Sequence, residues 1–129
     1  MAKTIITPIQ KRFNDIDSFW HVNNVAQQMY FDLAKTEYYR QVMKVDGTFD
    51  ALRVITVSTH TDFRGQVRMD DDVRIETTVS RVGNKSMTIH QRLLCGQECR
   101  TESSSVMVAF DYKRQCSVEI PDSWREKLL

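Results

Sequence analysis

The residues best equipped for chemistry crowd into one run, Arg12-Phe13-Asn14-Asp15-Ile16-Asp17-Ser18-Phe19-Trp20-His21-Val22-Asn23-Asn24. It holds two carboxylates, an imidazole and several amides. A carboxylate can take a proton from water or attack a carbonyl carbon itself. The start of a helix, which this run precedes, offers unpaired N–H groups and the positive end of the backbone dipole. Both suit polarising a carbonyl or holding an oxyanion. The same residue types also cap helices and form turns, and a lone histidine such as His21 serves as a hydrogen-bonded structural group as well as a base. Spacing alone leaves both readings open.

The elements that must position these groups are legible in the periodicity. Ahead of the run, Ile5, Ile9 and Phe13 lie on one side of an extended segment, and Pro8, which cannot donate to a ladder, places that strand at a sheet edge or on a bulge. After it, Val25, Met29, Leu33 and Val22, Ala26, Tyr30, Ala34, Tyr38 recur at helical spacing, which predicts one helix from Asn24 to about Met43. Asn23 or Asn24 can cap it and Asp46-Gly47 end it. So wide a stripe predicts a heavily buried helix. The period then changes to two: Leu52, Val54, Thr56; Val73, Ile75, Thr77, Val79; Met87, Ile89, Gln91, Leu93; and Val106, Val108, Phe110, Tyr112. Turns fall at Gly65–Asp72, Val82-Gly83-Asn84 and Gly96, and Ser123-x-x-Glu126 reads as a capping box opening a short terminal helix. One strand, one long helix and four strands predict an α+β fold in which an antiparallel sheet of about five strands wraps the helix.

Composition narrows the function classes. The 129 residues, 41% hydrophobic and 27% charged, suit a single globular domain over residues 1–129. No apolar run approaches the roughly 20 residues that span a bilayer, and the opening MAKTIITPIQKRF does not read as a signal peptide. Eighteen basic and 17 acidic residues leave a formal charge of +1, which argues against nucleic acid or an anionic membrane as partner. Cys95, Cys99 and Cys116 are an odd set that suits reduced thiols in a cytoplasm, and the four-residue step from Cys95 to Cys99 is not zinc-knuckle spacing. No metal or cofactor is expected.

The run Asp15-Ile16-Asp17-Ser18-Phe19-Trp20-His21-Val22-Asn23-Asn24, continued by Tyr30-Phe31 and Ala34-Lys35-Thr36-Glu37-Tyr38, resembles the 4-hydroxybenzoyl-CoA thioesterase-like branch of the hotdog superfamily. That branch carries Asp-x-Asp-x-x-Gly-His-Val-Asn-Asn, then Tyr-Phe and Ala-Arg-x-Glu. Asp71-Asp72-Val73-Arg74-Ile75-Glu76-Thr77 and Val82-Gly83-Asn84-Lys85-Ser86 resemble a second block of the family, so the likeness covers nearly the whole chain.

The resemblance implies a hotdog-fold acyl-CoA thioesterase. Its catalytic carboxylate falls on Asp17, and the backbone amide that polarises the thioester carbonyl falls near Asn24. Trp20, His21 and Asn23 lie beside the substrate, and the turn that runs along coenzyme A falls on Gly83, Asn84, Lys85 and Ser86, with Lys85 suited to a phosphate. Asp15 is read as a turn or cap residue. Asp17 acts either as general base on water or as nucleophile. Relatives join sheets edge to edge, so a homodimer or homotetramer is expected. Three positions depart from the family pattern: Trp20 stands where glycine is usual, Lys35 where arginine is usual, and Gln27 where tyrosine is frequent. Two alternatives share the fold: a thioesterase acting on acyl carrier protein, and a non-catalytic acyl-thioester-binding protein. The His-Phe-Pro signature of hotdog dehydratases is absent.

Overall fold

A computed structural model describes residues 3–44 and 52–128. The helix begins where expected because the Asn23 side chain accepts the Val25 N–H at 2.7 Å. From there α1 (Asn24–Tyr38) runs without glycine or proline and continues through a π-helical turn, Tyr39–Met43. Lys44, at φ 60°, ends it. The Asp46-Gly47 stop lies outside the described residues. Ala26, Tyr30, Phe31, Ala34 and Tyr38 are buried, but Val25, Met29 and Leu33 are 67%, 56% and 49% exposed. The expectation of a helix buried on most of its circumference is therefore corrected: within one chain the sheet leaves one helical stripe uncovered.

The sheet comprises β1 (Thr4–Ile9), β2 (Leu52–Phe63), β3 (Val73–Val82), β4 (Ser86–Cys95), β5 (Glu98–Asp111) and the two-residue β6 (Cys116–Ser117). Its order is β1-β3-β4-β5-β2, with β6 on β5, and every pairing is antiparallel. Pro8 sits opposite Arg74 on the edge strand β1, as its missing N–H requires. Phe13 does not extend that strand. The chain turns into a 3-10 turn over Phe13–Asp15, and the Phe13 ring is 78% exposed.

On β3 and β4 the expected alternation is observed, with Val73, Ile75, Thr77, Val79 and Met87, Ile89, Gln91, Leu93 buried. On β5 the buried parity is Thr101, Ser103, Ser105, Met107 and Ala109, while Val106, Val108 and Phe110 are half-buried on the other face. The terminal helix α2 spans Asp122–Leu128, so Ser123 lies inside its first turn and is not the cap.

Since neighbouring strands alternate in direction, the end of β1, the start of α1, the β2–β3 connection and the Cys95–Glu98 hairpin gather at one end of the sheet. The Gly83–Ser86 turn lies at the other. Ten residues of β3 separate the two ends, about 30 Å at the rise of a strand.

Candidate active site

Asp17 sits at the neck of a tight hairpin. Ile16 and Val22 form an antiparallel bridge, and the Asp17 N–H donates to the His21 carbonyl at 2.9 Å. Between them Ser18, Phe19 and Trp20 make a three-residue loop, closed by the Trp20 N–H on the Asp17 carbonyl at 3.1 Å. Loops of this length end in a left-handed residue, usually glycine. Here Trp20 takes that place at φ 66°. The aspartate completes the turn, its Oδ1 accepting from the Phe19 N–H at 2.9 Å and the His21 N–H at 3.3 Å. Its other oxygen has no partner among the described residues. The second arm of the hairpin is held to the β2–β3 connection by the Val22 N–H on Val67 O at 2.6 Å and by a His21–Arg68 bridge. It then runs straight into Asn23 and α1. The Asn24 N–H, first in the helix, has no hydrogen-bond partner among the described residues.

Asp15 fixes this arrangement from below and is only 2% exposed. Its carboxylate accepts from the Tyr30 hydroxyl at 2.6 Å, the Arg12 N–H at 2.9 Å and the Arg12 guanidinium at 3.1 Å. Its carbonyl accepts the Asn23 N–H at 2.7 Å. Burial alone would raise its pKa, but the hydrogen bonds from Tyr30 and Arg12 outweigh burial and hold it below the usual carboxylate range. Burial and the bond to Asp15 push the Tyr30 phenol upward. Asp15 is thus the structural carboxylate of the pair.

Asp17, Ser18, Trp20, Phe13, Ile16 and Met69 line an apolar hollow of about 220 Å³. Trp20 is 75% exposed and Phe13 78%, so the indole is not a core anchor. The Gly83–Ser86 turn is elsewhere. Its backbone is tied to the C-terminal segment, with the Ile120 N–H on Asn84 O and Arg125 on Gly83 O, both at 2.9 Å, and Lys85 is exposed. A single chain therefore brings Asp17, Trp20, His21, Asn23 and Asn24 together and leaves Gly83, Asn84, Lys85 and Ser86 about 30 Å away. One lining residue, Met69, escapes the sequence: it lies in a segment that reads only as a turn and reaches the hollow through tertiary contact. Phe13, within the reactive run, reads as part of the strand and instead lines the hollow.

The curled antiparallel sheet with its 20-residue helix is the hotdog architecture. A sequence model of the thioesterase-like superfamily matches residues 11–128. The chain belongs to that superfamily, and its enzyme class is thioester hydrolase. It is 29% identical over 123 residues to the uncharacterized protein YsmA of Bacillus subtilis strain 168, across 94% of this chain and 82% of that one. A predicted thioesterase from Bacillus stearothermophilus superimposes with a TM-score of 0.90 at 26% identity, over 98% and 94% of the two chains. A thioesterase from Thermus thermophilus, complexed with coenzyme A and Zn, shares the fold at a TM-score of 0.83 and 18% identity, over 95% of each chain.

Asp15→Asn is expected to destabilise the protein by about 2 kcal/mol at neutral pH, the scale of hydrogen bonds to a buried charged group. The lowered pKa of Asp15 means that its contribution is fully present above the unfolded-state value near 4 and fades as pH falls through the native value. Thermal melts of parent and variant should differ most at pH 7 and converge below about pH 4; a constant gap across that range would contradict the assignment.

Proposed function

We propose that the chain hydrolyses acyl-coenzyme A thioesters, with Asp17 as the reacting carboxylate and the Asn24 N–H as donor to the thioester oxygen. The observation that carries this reading is the hairpin. It clamps one oxygen of Asp17 with two backbone N–H groups and leaves the other oxygen unpartnered among the described residues at an apolar hollow, a few residues before a helix start. The Asn24 N–H and the helix dipole stabilise negative charge as it develops on the carbonyl oxygen. The free oxygen of Asp17 then either takes a proton from the attacking water or bonds to the carbonyl carbon, giving an anhydride that water opens. Both routes expel the thiolate of the carrier. Coenzyme A as carrier is supported by the family resemblance and by the fold-mate that binds it.

A second copy completes the arrangement. Among the described residues the outer edge of β2 is unpaired, and Val57 and Phe63 on it are 56% and 41% exposed, as are Val25, Met29 and Leu33 of α1 at 67%, 56% and 49%. Pairing two β2 edges about a two-fold axis perpendicular to the sheet reverses the partner's strands. The partner's Gly83–Ser86 turn then lies at the same end of the double sheet as Asp17, and its Lys85 can meet a carrier phosphate that the chain's own Lys85 cannot.

Asp17→Asn keeps the acceptor for the Phe19 N–H and should fold normally, yet lose turnover about a hundredfold or more. Near-parental thiol release from any acyl-CoA would remove Asp17 from the chemistry. Trp20→Gly should broaden the acyl range toward bulkier chains. It should also melt no lower than the parent, because glycine relieves a left-handed strain of about 1–2 kcal/mol; an unchanged substrate ranking with a large drop in Tm would refute a role for the indole as one wall of the acyl pocket. Sedimentation is expected to show a dimer or tetramer, and Met29→Glu should weaken it. A stable, active parent monomer at micromolar concentration would contradict the shared site.

A further inference from the structure

Arg68 and Met69 are consecutive, yet they line two different hollows. Met69 closes the apolar one beside Asp17. Arg68, with Gly65, Gln66, Asp71, Glu98 and Arg100, lines a polar one of about 410 Å³. We infer that this second hollow is a subsite for an anionic oxygen group at the far end of the substrate, resting on the thioesterase reading of Asp17.

The charges of the lining balance, two guanidiniums against two carboxylates, and it is the free donors that support an anion. The Asp71 carboxylate already accepts the Arg68 N–H at 2.8 Å and lies 3.5 Å from Arg100, while Lys11 donates to the Asp71 carbonyl. Glu98 lies 3.2 Å from the Arg100 Nε. Both lining carboxylates are thus engaged by groups other than the Arg68 guanidinium, which is exposed and has no partner among the described residues. Arg100 is held in place beside it. One of its terminal nitrogens donates to the Gln66 carbonyl. Its Nε faces the Glu98 carboxylate at 3.2 Å, so the free donors of the hollow are those of Arg68. The Arg100 stem is held flat against Gly65, where an added Cβ would stand 2.8 Å from its Cδ, and the Gly65 N–H donates to the Arg100 carbonyl at 2.9 Å. The polar hollow is also tied to the catalytic loop through the His21–Arg68 bridge. A guanidinium with free donors suits phosphate or carboxylate oxygens, and a substrate can supply either, from its carrier or from the distal end of a dicarboxylic acyl group.

The test compares four thioesters on the parent and on Arg68→Gln: hexanoyl and glutaryl groups, each on coenzyme A and on N-acetylcysteamine, which keeps the thioester and lacks every phosphate. If a carrier phosphate occupies the subsite, the variant raises KM for both coenzyme A esters about tenfold relative to their N-acetylcysteamine counterparts, the scale of one charge-assisted hydrogen bond. If the acyl carboxylate occupies it, the variant raises KM for both glutaryl esters about tenfold relative to the hexanoyl ones. Equal ratios in variant and parent across all four overturn the subsite. Should the parent hydrolyse none of them, the thioesterase reading fails instead. The subsite is then judged by calorimetric titration with adenosine 3′,5′-bisphosphate and with glutarate. Binding of either that Arg68→Gln weakens about tenfold sustains it; no binding, or binding indifferent to the substitution, overturns it.

Discussion

A buried carboxylate, Asp15, fixes the position of everything reactive in this chain. Its side chain draws together Tyr30 from the second turn of α1 and Arg12 from the approach to the loop, and its carbonyl holds the N–H of the helix cap, Asn23. A carboxylate removed from water is destabilised unless donors replace the solvent. Here a phenol, a backbone N–H and a guanidinium do so, and their combined effect exceeds that of burial, leaving the group more acidic than in water. The consequence is geometric. Asp17 stands two residues on, on a hairpin whose second arm leads into Asn23, itself held by the Asp15 carbonyl. The Tyr30 bond ties α1 to the Asp15 carboxylate, so the Asp17 carboxylate and the first free N–H of the helix are kept close.

Rigidity below contrasts with strain and exposure above. Trp20 occupies a backbone conformation that favours glycine, and it does so without burying its ring. Phe13 and Phe19 are equally exposed, so three large aromatic side chains face outward around one acid. Folding stability does not account for this, because an exposed indole in a strained turn contributes no packing to offset the strain. The proposed function does. Apolar surface beside a reacting carboxylate can bind an acyl chain and exclude the competing water that would solvate the carboxylate too well to react.

Much of this fold is legible in the sequence, and the exceptions have physical causes. The helix and the buried faces of β3 and β4 follow from periodicity, because each presents apolar residues to one side and polar residues to the other, and the edge position of β1 follows from Pro8. On β5 the rule inverts. Val106, Val108 and Phe110 look like the buried set, yet Thr101, Ser103 and Ser105 face inward, where Gln27 accepts from Thr101 at 2.6 Å and Ser103 meets Thr61 at 2.9 Å. A strand flanked by hydroxyls inside and branched apolar residues outside has no parity signal that hydropathy can read. The helix stripe misleads in a related way: Val25, Met29 and Leu33 match the spacing of a core face but lie beyond the reach of one chain's sheet.

The site itself is half legible for a topological reason. Asp17, Trp20, His21, Asn23 and Asn24 are neighbours in sequence, so a local motif captures them and one hairpin assembles them. Arg68 and Met69 join them only because antiparallel pairing returns the β2–β3 connection to the end of the sheet where β1 stops, through Ile9 opposite Val73. The same alternation sends Gly83–Ser86 to the opposite end. Strand length thus decides which functional residues one chain can bring together. Under the proposed function, a substrate held at Asp17 would meet the Gly83–Ser86 turn, ten residues of β3 away, on a second sheet running the other way beside the first. The unpaired edge of β2 and the uncovered stripe of α1 supply the surface on which such a sheet would lie.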